Sequence, residues 1–241
     1  MSPAFKGCDK IASISLCNGD ERQLRKIIDG IVYSSDMKTL IEAPKLRKGS
    51  VKVPASVTCI GDNAFSECNL QSIKISDSVR EIGANAFYRC RSLQFIEGLE
   101  SVERIGPHAF AFCIGFRNPI RLPDNINEIG MGAFLNCLNI PSVTLPDSMQ
   151  IVEDNLFENC LHLISVKLPS EVTRIGAQAF KNCSQLRNVT NGRSATIIGN
   201  EAFLGCNRLG EEVIQWIRDV GGDAAVPQFT PAQLNRRQHR Y

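Results

Sequence analysis

Net charge is the first thing this chain of 241 residues lacks: 27 Lys and Arg face 25 Asp and Glu, leaving +2. A balance that close excludes a dedicated nucleic-acid or membrane-surface binder acting through bulk charge. Long apolar runs are missing too. No stretch approaches the roughly 18 residues of a membrane span, and Lys6, Asp9 and Lys10 break up a signal-peptide reading around the short run 11–17. As written, the residues predict no export signal. Histidine is scarce (His108, His162 and His239) and far apart, which argues against a metal centre. There is no Gly-x-x-x-x-Gly-Lys phosphate loop, no Gly-x-Ser-x-Gly elbow and no His-Glu-x-x-His or His-x-Glu pattern. Gly130-Met131-Gly132 has Leu135 where a dinucleotide fingerprint needs its third glycine. Catalysis needs a nucleophile, a base and an orienting group in one place. No catalytic residue, metal site or cofactor is therefore expected, and the chain reads as non-enzymatic. With 43% hydrophobic and 22% charged residues, it should fold as an ordinary globular protein.

What the chain has in abundance is a repeat. Phenylalanines recur at Phe65, Phe87, Phe110, Phe134, Phe157, Phe180 and Phe203, at intervals of 22, 23, 24, 23, 23 and 23. A cysteine follows each by three residues: Cys68, Cys90, Cys113, Cys137, Cys160, Cys183 and Cys206. Isoleucine or valine precedes each phenylalanine by five (Ile60, Ile82, Ile105, Ile129, Val152, Ile175, Ile198), followed by glycine everywhere except Glu153. A second aliphatic column lies 14 residues before each phenylalanine: Val51, Ile73, Ile96, Ile120, Val143, Val166 and Val189. All slack falls between a cysteine and the next of these aliphatics, at spacings of 5, 6, 7, 6, 6 and 6, which marks that junction as the tolerant turn.

Each copy reads as a short alternating strand, a Pro or polar turn, a second short extended piece and a bend at glycine. A helical turn holding the Ala, Phe and Cys should close it. One copy buries too few apolar side chains to offset the ordering of its backbone, so the copies must stack into a solenoid. The pattern at residues 163–183, Leu-x-x-Val-x-Leu-Pro-x-x-Val-x-x-Ile-Gly-x-x-Ala-Phe-x-x-Cys, resembles the BspA-like (Treponema-pallidum-type) leucine-rich repeat. The resemblance covers residues 51–209, and a half repeat at residues 4–11 extends it towards the N-terminus. It implies a right-handed curved stack of leucine-rich-repeat coils, mainly short β-strands with short helical turns. Gly98-Leu99, Asn191-Gly192 and Glu153 depart from the pattern and should disturb it locally.

The expected organisation is a partial repeat at 1–16, an irregular insertion with a β-hairpin at 17–50 stacked in line, and seven repeats at 51–210. A capping helix follows at 211–222, with Val213, Ile214, Ile217 and Val220 at helical spacing beside Trp216. A polar, basic tail occupies 223–241; without Arg236, Arg237 and Arg240 the rest of the chain would sum to −1. Because the chain begins inside a repeat, an uncapped coil could drive self-association.

Ten cysteines allow disulfides, metal or buried thiols. Eight share one repeat position, Cys8 included, which would set neighbouring Cβ atoms about 4.8 Å apart on parallel vectors. Disulfides want about 3.5–4.5 Å, and metal sites want clustered ligands, so buried free thiols are the favoured reading. Cys17 and Cys59 lie outside the column. Asn182-Cys183-Ser184 and Asn188-Val189-Thr190 are glycosylation sequons that matter only if the chain is exported.

The residue after each first-column aliphatic should point outward, giving the row Lys52, Lys74, Glu97, Arg121, Thr144, Lys167 and Thr190. Four of the seven are basic, and strands about 4.8 Å apart would make a preformed ladder roughly 30 Å long on the concave face. These seven are the candidate protein-binding residues. The resemblance implies a module of bacterial or protist surface proteins that binds host or neighbouring-cell proteins. Surface adhesion is thus one expected role. An intracellular scaffold or assembly subunit is the alternative, since reduced-looking cysteines fit a cytoplasmic chain. An unidentified protein is the expected partner, with no nucleic acid and no membrane insertion.

Overall fold

The computed structural model describes residues 25–226 and the strand Ser13–Ile14. Apart from that strand, the partial repeat expected at 1–16 lies outside the described residues, as do Cys8, Cys17 and the tail from 227 on. Strands β1 (Ser13–Ile14), β2 (Arg25–Ile28), β3 (Ile31–Ser34) and β4 (Thr39–Glu42) form an antiparallel ribbon. Asp29 and Gly30, at φ 50° and 76°, make the two-residue turn between β2 and β3; both central residues of that turn type need positive φ, which is why Asp-Gly occupies it.

From there the chain winds. The early coils carry β5 (Lys48–Lys52), β6 (Cys59–Ile60), β7 (Asn69–Lys74), β8 (Glu81–Ile82), β9 (Phe95–Glu97) and β10 (Arg104–Ile105). The later ones carry β11 (Ile120–Arg121), β12 (Glu128–Ile129), β13 (Ser142–Thr144), β14 (Ile151–Val152), β15 (Ser165–Lys167), β16 (Arg174–Ile175), β17 (Asn188–Thr190) and β18 (Ile197–Ile198). From β5 on, odd-numbered strands pair in parallel on a first face and even-numbered ones on a second, with the counterpart one repeat later at all but two junctions, as in Val143↔Val166↔Val189. The antiparallel ribbon joins this stack in line, because β4 pairs in parallel with β6.

The third side of each coil is tighter than a helical turn. The amides of Ala64, Ser66 and Cys68 donate back to the carbonyls of Gly61, Asn63 and Phe65, while those of Asn63, Phe65 and Glu67 donate to Ala84, Ala86 and Tyr88 of the next coil. Alternate amides thus hold the turn and the stack. The alternation requires left-handed backbone two residues before and two after each phenylalanine: Asn63, Asn85, His108, Gly132, Asn155, Gln178 and Glu201, then Glu67, Arg89, Phe112, Asn136, Asn159, Asn182 and Gly205. Asparagine fills six of these fourteen positions because its short polar side chain tolerates that region.

Inside, the phenylalanines form one column. Successive rings from Phe65 to Phe203 lie 5.1–5.7 Å apart and within 18° of parallel. The column ends on Trp216 of α1 (Glu211–Gly221), which meets Phe203 edge-on at 6.4 Å. Ile214 and Ile217 of α1 are also buried, so the helix covers the apolar end of the last coil.

Two irregularities in the sequence break two sheets. Glycine follows the second-face aliphatic because a Cβ there would meet the preceding coil: at Gly106 it would lie 2.6 Å from the Ala84 nitrogen, and at Gly130 2.5 Å from that of Pro107. Glu153 has that Cβ, and no ladder joins β12 to β14. On the first face β9 and β11 are likewise unpaired. There Gly98, at φ 85°, feeds a short 3-10 turn (Leu99–Ser101), and the longest junction of the chain separates Cys113 from Ile120. Both breaks border the same coil.

Gly106→Ala should reproduce the Glu153 break between β8 and β10. It would displace the amide bonds of Glu103 and Arg104 to the Arg80 carbonyl and of Gly106 to that of Ile82. At roughly 0.5–1.5 kcal/mol per bond the expected loss is about 2–4 kcal/mol. Hydrogen exchange at those three amides should rise sharply; unchanged protection would refute the steric account.

Candidate interaction surface

The seven outward residues of the first face fall into two registered rows. Lys52, Lys74 and Glu97 are cross-strand neighbours on β5, β7 and β9. Arg121, Thr144, Lys167 and Thr190 are neighbours on β11, β13, β15 and β17. All are exposed except Thr144, which is half-buried. The single ladder expected from the repeat is therefore interrupted between Glu97 and Arg121, where the strands do not pair.

The charges in these rows are not equivalent. Lys74 lies 3.8 Å from Glu97, and Lys167 donates to Asp147 at 3.1 Å. That hydrogen bond, helped by the Ser170 amide, holds the Asp147 carboxyl below its ordinary range. Lys52 and Arg121 have no ion-pair partner among the described residues. The second face differs: Arg104 reaches Glu81 at 3.9 Å and Glu128 at 3.0 Å, Arg80 reaches Glu103 at 3.5 Å, and Arg174 reaches Asp154 at 2.9 Å. Its cations are matched from coil to coil. Exposed pairs of this kind are worth only about 0–1 kcal/mol each, so they neutralise the surface more than they stabilise it.

A feature the repeat columns do not reveal opens at the interruption. Between β9 and β11 lies a cleft of about 330 Å³, walled by Phe95, Ile96, Leu99, Phe116 and Ile120 with Arg121 at its edge. Its only trace in the sequence is the coincidence of Gly98-Leu99 with the longest junction, the seven-position spacing from Cys113 to Ile120.

The cysteine column is interior. Each thiol from Cys90 to Cys206 donates to the phenylalanine carbonyl of the preceding coil, at 2.9 Å for Cys90 to Phe65 and 3.0 Å for Cys206 to Phe180. Burial pushes the Cys68 and Cys90 thiols up to about 12, and those of Cys113, Cys137, Cys160 and Cys183 upward as well. Such thiols are poor nucleophiles and poor metal ligands at neutral pH. Among the described residues no three His, Cys, Asp or Glu side chains gather to hold a metal ion. Asn182 donates its side-chain amide to the Asn159 oxygen at 2.8 Å, whereas Asn188 is exposed on β17. Among the described residues no helix is long and apolar enough to cross a membrane.

The same arrangement occurs in known proteins. The BspA type leucine-rich repeat region, in six copies, matches residues 45–119 and 116–218. A leucine-rich repeat protein of T. pallidum superposes with a TM-score of 0.73 at 26% identity, over 82% of this chain and 94% of that one. One from Bacteroides ovatus gives 0.61 at 26% identity, over 77% of this chain and 55% of its own. The pneumococcal vaccine antigen PcpA gives 0.60 at 16% identity, over 86% of this chain and 48% of its own, a likeness of fold alone. No curated protein sequence matches the chain. With the repeat pattern, the stacked coils and the matched region all in agreement, this chain belongs to the BspA-type leucine-rich repeat family.

Proposed function

We propose that this chain is a protein-interaction module that binds a partner protein on its first sheet face and serves adhesion to host or neighbouring cells. Leucine-rich repeat families of this type are built for protein contacts and are generally non-enzymatic. The observation that carries the reading is the contrast between the faces: the second matches its charges internally, while the first presents Lys52 and Arg121 without partners. Registered strands hold these cations in place before any partner arrives, which lowers the ordering cost of binding. The complement is an acidic protein surface, since rim charges mainly steer encounter and set specificity.

The thiol column does not favour an intracellular scaffold over this role. Thiols that are buried and hydrogen-bonded resist oxidation in either compartment.

The test replaces Lys52, Lys74, Arg121 and Lys167 together by Glu and measures retention of cell-surface proteins on the immobilised chain. Retention should fall at least about tenfold, the equivalent of roughly 1.4 kcal/mol, and should already weaken in wild type as salt rises. Undiminished retention by the reversed variant, with its thermal midpoint intact, would remove this face as the binding site.

A further inference from the structure

The interruption between β9 and β11 places an apolar cleft in the middle of the charged face, and its composition is specific. Ile96 and Ile120 occupy the first aliphatic column, whose members Val51, Ile73, Val143 and Val166 are only 1–3% exposed. Ile96 and Ile120 are half-buried because their strands do not cover each other. Phe95 beside them is 49% exposed. Phe116, edge-on to Phe110 at 6.1 Å, forms the floor. The volume of about 330 Å³ is at the lower end of small-ligand sites, roughly 300–1,000 Å³, and fits one bulky side chain with the backbone that carries it.

The rim shows what accompanies that side chain. Gln94 and Asn118 line the cleft, and their side-chain amides have no hydrogen-bond partner among the described residues. Each offers a donor and an acceptor, the complement of a peptide group. Arg121 at the edge and Arg117 in the adjoining loop are exposed and unpaired among the described residues, while the nearby Glu97 is taken by Lys74. Apolar side chains, the unpartnered Gln94 and Asn118 and the Arg121 guanidinium line this one cleft, with Arg117 next in sequence to two of its lining residues.

We propose that this cleft is the anchor pocket of the interaction face, taking an aromatic or large aliphatic side chain from an extended, acidic segment of the partner protein. The inference rests on the reading of the first face as the binding surface, and it names that partner's chemistry. Gln94 and Asn118 hold the segment's backbone, and Arg117 and Arg121 pair with carboxylates flanking the anchor. Buried anchors of this kind carry most of an interface's energy, with the charged rows on either side supplying register.

The test selects peptides from a random displayed library on the intact chain, then measures synthetic copies against four variants by fluorescence anisotropy. Phe95→Ala removes an exposed wall, and Asn118→Trp fills the mouth; neither alters the stacked core, and thermal midpoints confirm folding. The selected peptides should share one bulky apolar residue flanked by Asp or Glu. Both cleft variants should weaken them by about tenfold to a hundredfold, the worth of one buried side chain, and Arg121→Glu should weaken them further. Arg208→Glu, an exposed change on the last coil outside both charged rows, should leave the peptides unaffected. Selection of peptides without an apolar anchor, binding indifferent to Phe95→Ala and Asn118→Trp, or no selection at all would overturn the pocket. Binding lost in charge-reversed chains but kept in both cleft variants would overturn it while leaving the interaction face standing.

Discussion

Replacing Phe157 by Ala should destabilise the solenoid by about 3–5 kcal/mol, the range for truncating a buried phenylalanine. The ring is fully buried, 5.4 Å from Phe134 and 5.7 Å from Phe180. Its loss removes apolar burial, leaves a cavity and cuts two stacking contacts worth roughly 0.5–1.5 kcal/mol each beyond area. The neighbours cannot close the gap, because each is pinned by its own coil: the Phe157 amide donates to Ala179 and the Phe134 amide to Leu156. For a chain of this size the midpoint should fall by roughly 6–20 °C. In a stack where each coil touches only its neighbours, a defect at the fifth of seven repeats should also split the transition, the shorter C-terminal segment melting first. Circular dichroism during heating measures both effects. A loss below about 1 kcal/mol would mean that the column repacks and is not the structural spine.

That column was legible in the sequence because the 14-residue interval from strand aliphatic to phenylalanine never varies, and a fixed interval is what a fixed coil geometry requires. The two faces and the outward row followed from strand alternation. The closing turn was harder to read. An Ala-Phe-x-x-Cys spacing is compatible with a helical turn, and only the left-handed residues around it, asparagine at Asn63, Asn85 and Asn155 among them, signal that alternate amides leave for the next coil.

Glu153 and Gly98 stood out as exceptions, but their effect depends on where a Cβ or a turn meets the neighbouring coil, which a one-dimensional pattern does not contain. The cleft was least legible of all. It arises because Gly98-Leu99 in one coil faces the long junction ending at Ile120 in the next, so neither irregularity alone announces it. Arg117 lies off every column, and nothing in the repeat marks it as a partner of Arg121. The residues that line the cleft thus sit where the repeat fails, while those that fold the chain sit where the repeat holds.

Alkaline unfolding should be unusually steep and should belong to the cysteine column. In the unfolded chain a thiol ionises near 8.5; in the folded chain burial holds Cys68 and Cys90 up to about 12 and raises Cys113, Cys137, Cys160 and Cys183 as well. Below pH about 8.5 neither state loses these protons, so their contribution to stability is fully present. Above pH about 8.5 the unfolded chain sheds these protons while the folded chain, with every one of the six pushed upward and Cys68 and Cys90 to about 12, still holds them, so stability falls as pH rises. Each such thiol shifts the folding equilibrium by about tenfold per pH unit. Six acting together would exhaust the 5–15 kcal/mol of a typical domain within about one to two pH units of their onset. Urea midpoints should therefore be flat from pH 7 to 8.5 and drop steeply by pH 10. Replacing Cys113, Cys137 and Cys160 by Ala deletes three of the six titrations, and the slope above pH 9 should halve even though the variant starts less stable. An unchanged slope would move the cause to another group. The outcome also bears on the core itself: thiols that ionise only on unfolding stay protonated at physiological pH, so the face proposed for binding rests on a core of neutral, unreactive thiols.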